Sequence, residues 1–102
     1  MQIRQGDVFV ELIAALPDGL AVKAADHGRL VLAYGEVTGH AHALDATLGE
    51  LFEDREGTLY LRLDAPGSLT HEEHAAISLS PGTYRITHQR EYAPGEMRRV
   101  AD

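Results

Sequence analysis

At 102 residues, with sixteen acidic and nine basic side chains, a net charge of −7 and no cysteine, the chain makes one domain over residues 1–102 and excludes disulfides, thiolate zinc sites and a cysteine nucleophile. The acidic balance argues against nucleic acid as a partner, because phosphate binding draws on clustered Lys and Arg and the one basic pair is Arg98-Arg99. No apolar run reaches the ~18 residues a membrane span needs, and the first residues lack the basic-then-apolar pattern of a signal peptide, so the expectation is a cytoplasmic protein with no membrane partner.

Gly6-Asp7 launches a nearly continuous apolar strand, Val8–Ile13, suited to a position covered on both sides or to the first strand of a barrel. Pro17-Asp18-Gly19 is a turn, since proline presets φ and glycine accepts positive φ. Residues 20–25 are weakly patterned, either a short edge strand or loop. Asp26-His27-Gly28 is a second turn, in which His27 reads as an exposed turn residue. Residues 29–35 form a strand with Leu30, Leu32 and Tyr34 on one face. Carried forward, that alternation puts Glu36, Thr38, His40 and His42 on the same inward face. A bulge at Gly35 or Gly39 would turn the histidines outward.

Residues 45–54 carry two signals. Leu44, Leu48, Leu51 and Phe52 have near-helical spacing, and Thr47-x-x-Glu50 resembles a capping box. Gly49 and the turn Asp54-Arg55-Glu56-Gly57 favour a hairpin instead. Residues 58–64 alternate cleanly, with Leu59, Leu61 and Leu63 inward and Thr58, Tyr60 and Arg62 outward. Residues 68–71 and 75–79 read as two short strands joined across Glu72-Glu73. A two-residue hairpin there sets His71 opposite His74 with Cβ atoms roughly 5 Å apart, and a helical turn would also bring them to one face. After the turn Ser80-Pro81-Gly82, residues 83–92 make the last strand, with Tyr84, Ile86, His88, Arg90 and Tyr92 on one face; residues 97–102 are a polar tail or one helical turn. About seven or eight short strands at ~8–12-residue spacing give an all-β fold with little helix, a small antiparallel barrel or sandwich.

The chemistry rests on histidine, of which there are six. From an extended strand, His40-x-His42 aims two imidazoles at one point. His71-x-x-His74 converges in either local geometry, and His88 sits beside Ile86 on an inward face, where a neutral ring bonded to Tyr84, Tyr92 or backbone is the simpler role. Without cysteine, His40, His42, His71, His74 and His88 form a ligand set for a divalent metal: zinc, nickel, copper, manganese or iron. Glu36, Glu50, Glu72 and Glu73 are candidate carboxylate ligands or bases, and Tyr84 is a candidate catalytic hydroxyl.

Gly35, His40, His42, Pro81-Gly82 and His88 together resemble the cupin family, small β-barrels that hold a metal with His-x-His, a carboxylate and a distant histidine. The resemblance implies an inward metal site. Where the cupin pattern has its glutamate this chain has Ala46 and Thr47, so Asp45 or Glu50 would substitute, and Tyr84-Arg85 stands where the second motif has a histidine. Arg4-Gln5-Gly6-Asp7-Val8 and Gln89-Arg90-Glu91-Tyr92 also resemble a small uncharacterised bacterial or phage-borne protein family, a likeness that implies no activity.

Three functions fit these residues. The favoured one is a histidine-lined divalent-metal-binding domain, acting on a small-molecule substrate if it is an enzyme. The second is a protein-interaction or assembly module with structural or pH-responsive histidines, whose exposed edges would give a homodimer. The third is a metal-free acid–base phosphodiesterase pairing His40 or His42 with His71 or His74, with Arg85, Arg90 or Tyr84 stabilising an oxyanion; the acidic surface counts against its polyanionic substrate. Neither a nucleophile elbow around Ser68, Ser78 or Ser80 nor a phosphate-cradling glycine loop is present.

Overall fold

The computed structural model describes residues 2–88. Its elements are β1 (Gln2–Gln5), β2 (Val8–Ile13), β3 (Ala21–Lys23), β4 (Arg29–Tyr34), β5 (Ala41–Asp45), a 3-10 turn (Ala46–Leu48), β6 (Gly49–Glu53), β7 (Leu59–Leu63), β8 (Gly67–His71), β9 (His74–Leu79) and β10 (Gly82–His88). They assemble into two antiparallel sheets, one of six strands in the order β1-β2-β10-β7-β6-β3 and one of four in the order β4-β5-β8-β9. The all-β expectation holds. The sheets do not close into a barrel, so of barrel and sandwich the second describes the molecule, and the cupin likeness gains no support. One core joins the sheets: Val8, Val10, Leu61 and Ile86 from the larger meet Leu30, Leu32, Leu44 and Leu69 from the smaller, each no more than 3% exposed. Among the described residues no helix is long and apolar enough to cross a membrane.

The first strand, β1, was not legible as one. It pairs with β2 through a two-residue turn in which Gln5 faces Val8. Gly6 takes φ +61 at the first turn position, as in a type II′ hairpin, where glycine meets the positive angle without strain. Residues 20–25 resolve into the edge strand β3, paired with β6.

The expected unbroken alternation from Leu30 to His42 is corrected. β4 ends at Tyr34 and the chain reverses, with Gly35 N–H donating to the His40 carbonyl (2.8 Å) and His40 N–H to that of Val37 (3.0 Å). The β4–β5 register also slips between Val31 and Ala33, leaving Leu32 as the extra residue, so Ala33 faces His42 and Tyr34 faces Ala41. Tyr34 is therefore 56% exposed rather than inward. His42 points inward by the alternation of β5 itself: it shares a face with core Leu44, while Ala41 and Ala43 pack with Val31 on the other.

Residues 45–54 form a hairpin arm and not a helix. The cap is Asp45 in place of a Thr47-x-x-Glu50 box, its Oδ1 accepting from Thr47 N–H (2.8 Å) and Thr47 Oγ1 (2.6 Å). Leu51 and Leu61 then pair in the β6–β7 ladder. Tyr60 faces away from the main core as expected, yet only 9% of it is exposed, and it lines a hollow with Pro17, Asp18 and Gly19 and with Asp54, Arg55 and Glu56. β8 and β9 meet across Glu72-Glu73 with His71 directly opposite His74. The expected last strand is seen from Gly82 to His88; residues 89–92, with Arg90 and Tyr92, and the tail 97–102 lie outside the described residues.

Candidate metal centre

Four histidines converge where the smaller sheet meets the β1–β2 turn. His40 ends the β4–β5 turn, His42 lies on β5, and His71 and His74 flank the β8–β9 turn; the pairing of Ala43 with Thr70 sets β5 beside β8. Ring centroids are 5.7 Å apart for His40 and His71, 4.3 Å for His42 and His71, and 4.7 Å for His71 and His74. These rings line a cavity of about 310 Å³ together with Asp7, Glu36 and Glu73.

Buried Gln5 orients the innermost ring. Beside the register slip between Leu69 and His71, two backbone carbonyls look for donors, and the Gln5 amide supplies both: Nε2 donates to Leu69 O (3.0 Å) and Ala75 O (2.9 Å). Carbonyls can only accept, so the NH₂ end of Gln5 must face them and Oε1 must face His42. That oxygen, 2.8 Å from His42 Nδ1, requires a proton on Nδ1. The neutral ring consequently presents an unprotonated Nε2 toward the cavity, 3.9 Å from Asp7 Oδ1. Burial, with the neighbouring His71 adding to it, lowers the His42 pKa to about 4, so the ring is neutral at pH 7.

Glu72 and His71 are held by the turn. Glu72 Oε1 accepts from Ala41 N–H (2.9 Å), a bond that stabilises the charged carboxylate and lowers its pKa. His71 Nδ1 accepts from Glu73 N–H (3.0 Å), which places the proton of the neutral ring on Nε2. Glu73 Oε2 lies 3.9 Å from His40 Nδ1. Among the described residues, His40, His71 and Glu72 each offer a donor atom lying within 4.8 Å of the others.

The fold thus brings together His40, His42, His71 and His74 with Glu36, Glu72 and Glu73. It places three other candidates elsewhere. His88 lines a separate hollow of about 270 Å³ with Tyr34 and Leu59, and its Nε2–H donates to Leu32 O (3.1 Å). Tyr84 is 1% exposed in the core, its hydroxyl donating to Ser80 O (2.7 Å). Glu50 pairs with Arg62 across β6 and β7. His27 is an exposed turn residue, as read from sequence, with φ +52 and its ring against Asp26. Gln5 and Asp7 were missed. The available signal was the glycine at the first place of a two-residue turn, which makes the residues before it a strand.

A family model described as a domain of unknown function (DUF8820) matches residues 4–89, and the chain belongs to that family. No curated protein and no solved structure matches it.

Proposed function

We propose that this DUF8820 domain binds a divalent transition-metal ion through His40, His71 and Glu72, leaving an open position toward the cavity for water or a small molecule. The observation that carries the reading is the convergence of those donor atoms within 4.8 Å. Two imidazoles and a carboxylate suit zinc, nickel, manganese or iron, and three protein ligands are the usual number where one position stays open. The Ala41 N–H bond supports Glu72 as a pre-aimed ligand, since it holds the carboxylate in place beside His40 and His71. His71 is the residue that must adjust. An ion at its Nε2 moves the ring proton to Nδ1 and gives up the exposed bond from Glu73 N–H, a loss of about 1 kcal/mol that coordination outweighs. An ion so held would polarise a bound small molecule or acidify bound water, with Glu36 or Glu73 on the cavity wall as base.

The test is metal content of tag-free protein by mass spectrometry, beside a His40→Ala/His71→Ala variant. A bound ion in the parent and none in the variant is expected, with a Tm rise on the order of 10 °C at a hundredfold excess over Kd. A parent that binds no zinc, nickel, manganese or iron(II), and whose Tm none of them moves, refutes the reading.

One observation favours a second reading, a metal-free His/His acid–base pair. Gln5 leaves His42 with a bare Nε2 while Glu73 leaves His71 with an Nε2–H, so an acceptor and a donor line the same cavity. That reading calls for activity insensitive to chelators with a bell-shaped pH profile.

A further inference from the structure

The donors in the cavity outnumber what one ion uses. Once His40, His71 and Glu72 are assigned, His42, His74 and Asp7 remain on the wall formed by the β1–β2 turn. A Cβ built on Gly6 would lie 2.9 Å from His74 Nε2 and 3.3 Å from His42 Cε1, so the outer edges of both rings rest against that turn. The next residue along it, Asp7, brings its carboxylate to 3.9 Å from His42 Nε2. The His42 and His74 rings stack, 20° from parallel with centroids 5.8 Å apart. His71 lies between the two groups, in ring contact with His40 on one side and with His42 and His74 on the other.

We infer that the cavity is a two-ion centre, in which His42, His74 and Asp7 hold a second divalent ion beside the first. The inference rests on the single-ion reading above. His42 is the fixed member, its Nε2 stripped of a proton by a side chain that is itself 3% exposed and bonded on every polar atom. His74 is the adjustable member: its exposed ring turns toward Asp7 on loading, whereas the first group is already closed. A cavity of about 310 Å³ has room for both ions and their water. Two-metal sites hold their ions ~3.5–4 Å apart, close enough for one oxygen to bridge them, and clamp both ends of a displacement at an ester or amide. Asp7, Glu36, Glu72 and Glu73 offset the positive charges of two divalent ions, so the loaded cavity favours a small ester or amide without a strong charge of its own.

The experiment is manganese(II) titration of the whole chain, read by bound metal per chain and by electron paramagnetic resonance. Parent, Asp7→Asn/His74→Ala and the single variant Asp7→Asn are compared, each checked for native circular dichroism without metal. The expected parent binds about two ions with a spin-coupled spectrum, and the double variant about one with the six-line spectrum of isolated manganese. A parent that saturates at one ion, unchanged in the double variant, overturns the second ion and leaves the first standing. One ion that is lost in the double variant overturns the inference and reassigns the ligands. A parent that takes up no manganese, and no zinc, nickel or iron(II) in the same titration, overturns both. Asp7→Asn alone is expected to weaken the second binding step at least tenfold while leaving the first, and equal weakening of both steps counts against separate subsites.

Discussion

Replacing Gln5 by leucine tests the orientation argument at its root. Leucine keeps the volume of the side chain and removes its three bonds, to Leu69 O, Ala75 O and His42 Nδ1. Gln5 and His42 are each 3% exposed, so water does not readily replace the partner that His42 Nδ1 loses, whereas Ala75 O is only part-buried. At about 1 kcal/mol for each bond and somewhat more for each group left without one, the loss is about 3–4 kcal/mol. For a domain of this length that lowers Tm by about 15 °C. Thermal unfolding followed by circular dichroism measures it. The nitrogen shifts of His42 supply a second readout: the parent ring should carry its proton on Nδ1, and the Gln5→Leu ring should lose that preference. A Tm within about 3 °C of the parent, or an unchanged tautomer, would show that Gln5 does not govern the ring.

Acidification should destabilise the metal-free protein through His42. Its folded pKa is about 4 against 6.5 when free, so its contribution is complete above pH ~6.5 and disappears as pH falls toward 4; the full shift corresponds to about 3 kcal/mol, and the dependence should flatten in His42→Gln. Gly49→Ala should destabilise by about 3 kcal/mol or more in urea unfolding, because a Cβ there would overlap the Arg62 carbonyl oxygen in the β6–β7 ladder. Tyr84→Phe should cost about 1 kcal/mol for the bond to Ser80 O and leave metal uptake unchanged; altered uptake would contradict its place in the core.

What the sequence made legible followed local signals. The alternation of Leu59, Leu61 and Leu63 and the two residues between His71 and His74 each specify a geometry within a few residues, and both appear as read. The β4–β5 segment misled because an alternation carries no notice of a turn: residues 35–40 reverse the chain, and the slip at Leu32 corrects the parity that places His42. Tyr60 is 9% exposed although it alternates away from the main core, a burial that the local pattern does not announce. Gln5 was invisible for the same reason. A lone glutamine near the start of a chain looks like solvated surface until two distant carbonyls are shown to need its amide. His88 and Tyr84, plausible by face, were separated from the cavity by strand order, since β10 runs through the middle of the other sheet.

The bonds of Gln5 also bear on the order in which the molecule comes together. Its partners stand 37, 64 and 70 residues along the chain, so none can form until β5, β8 and β9 have been placed. Contacts of such separation carry the loop-closure entropy that slows folding and form after local hairpins. The unprotonated nitrogen of His42 therefore depends on strands far apart in the chain, and it is defined only once β1 and β5 have met. The proposed ability to take a metal in a single geometry would then belong to the assembled sandwich and not to the local histidine hairpin alone.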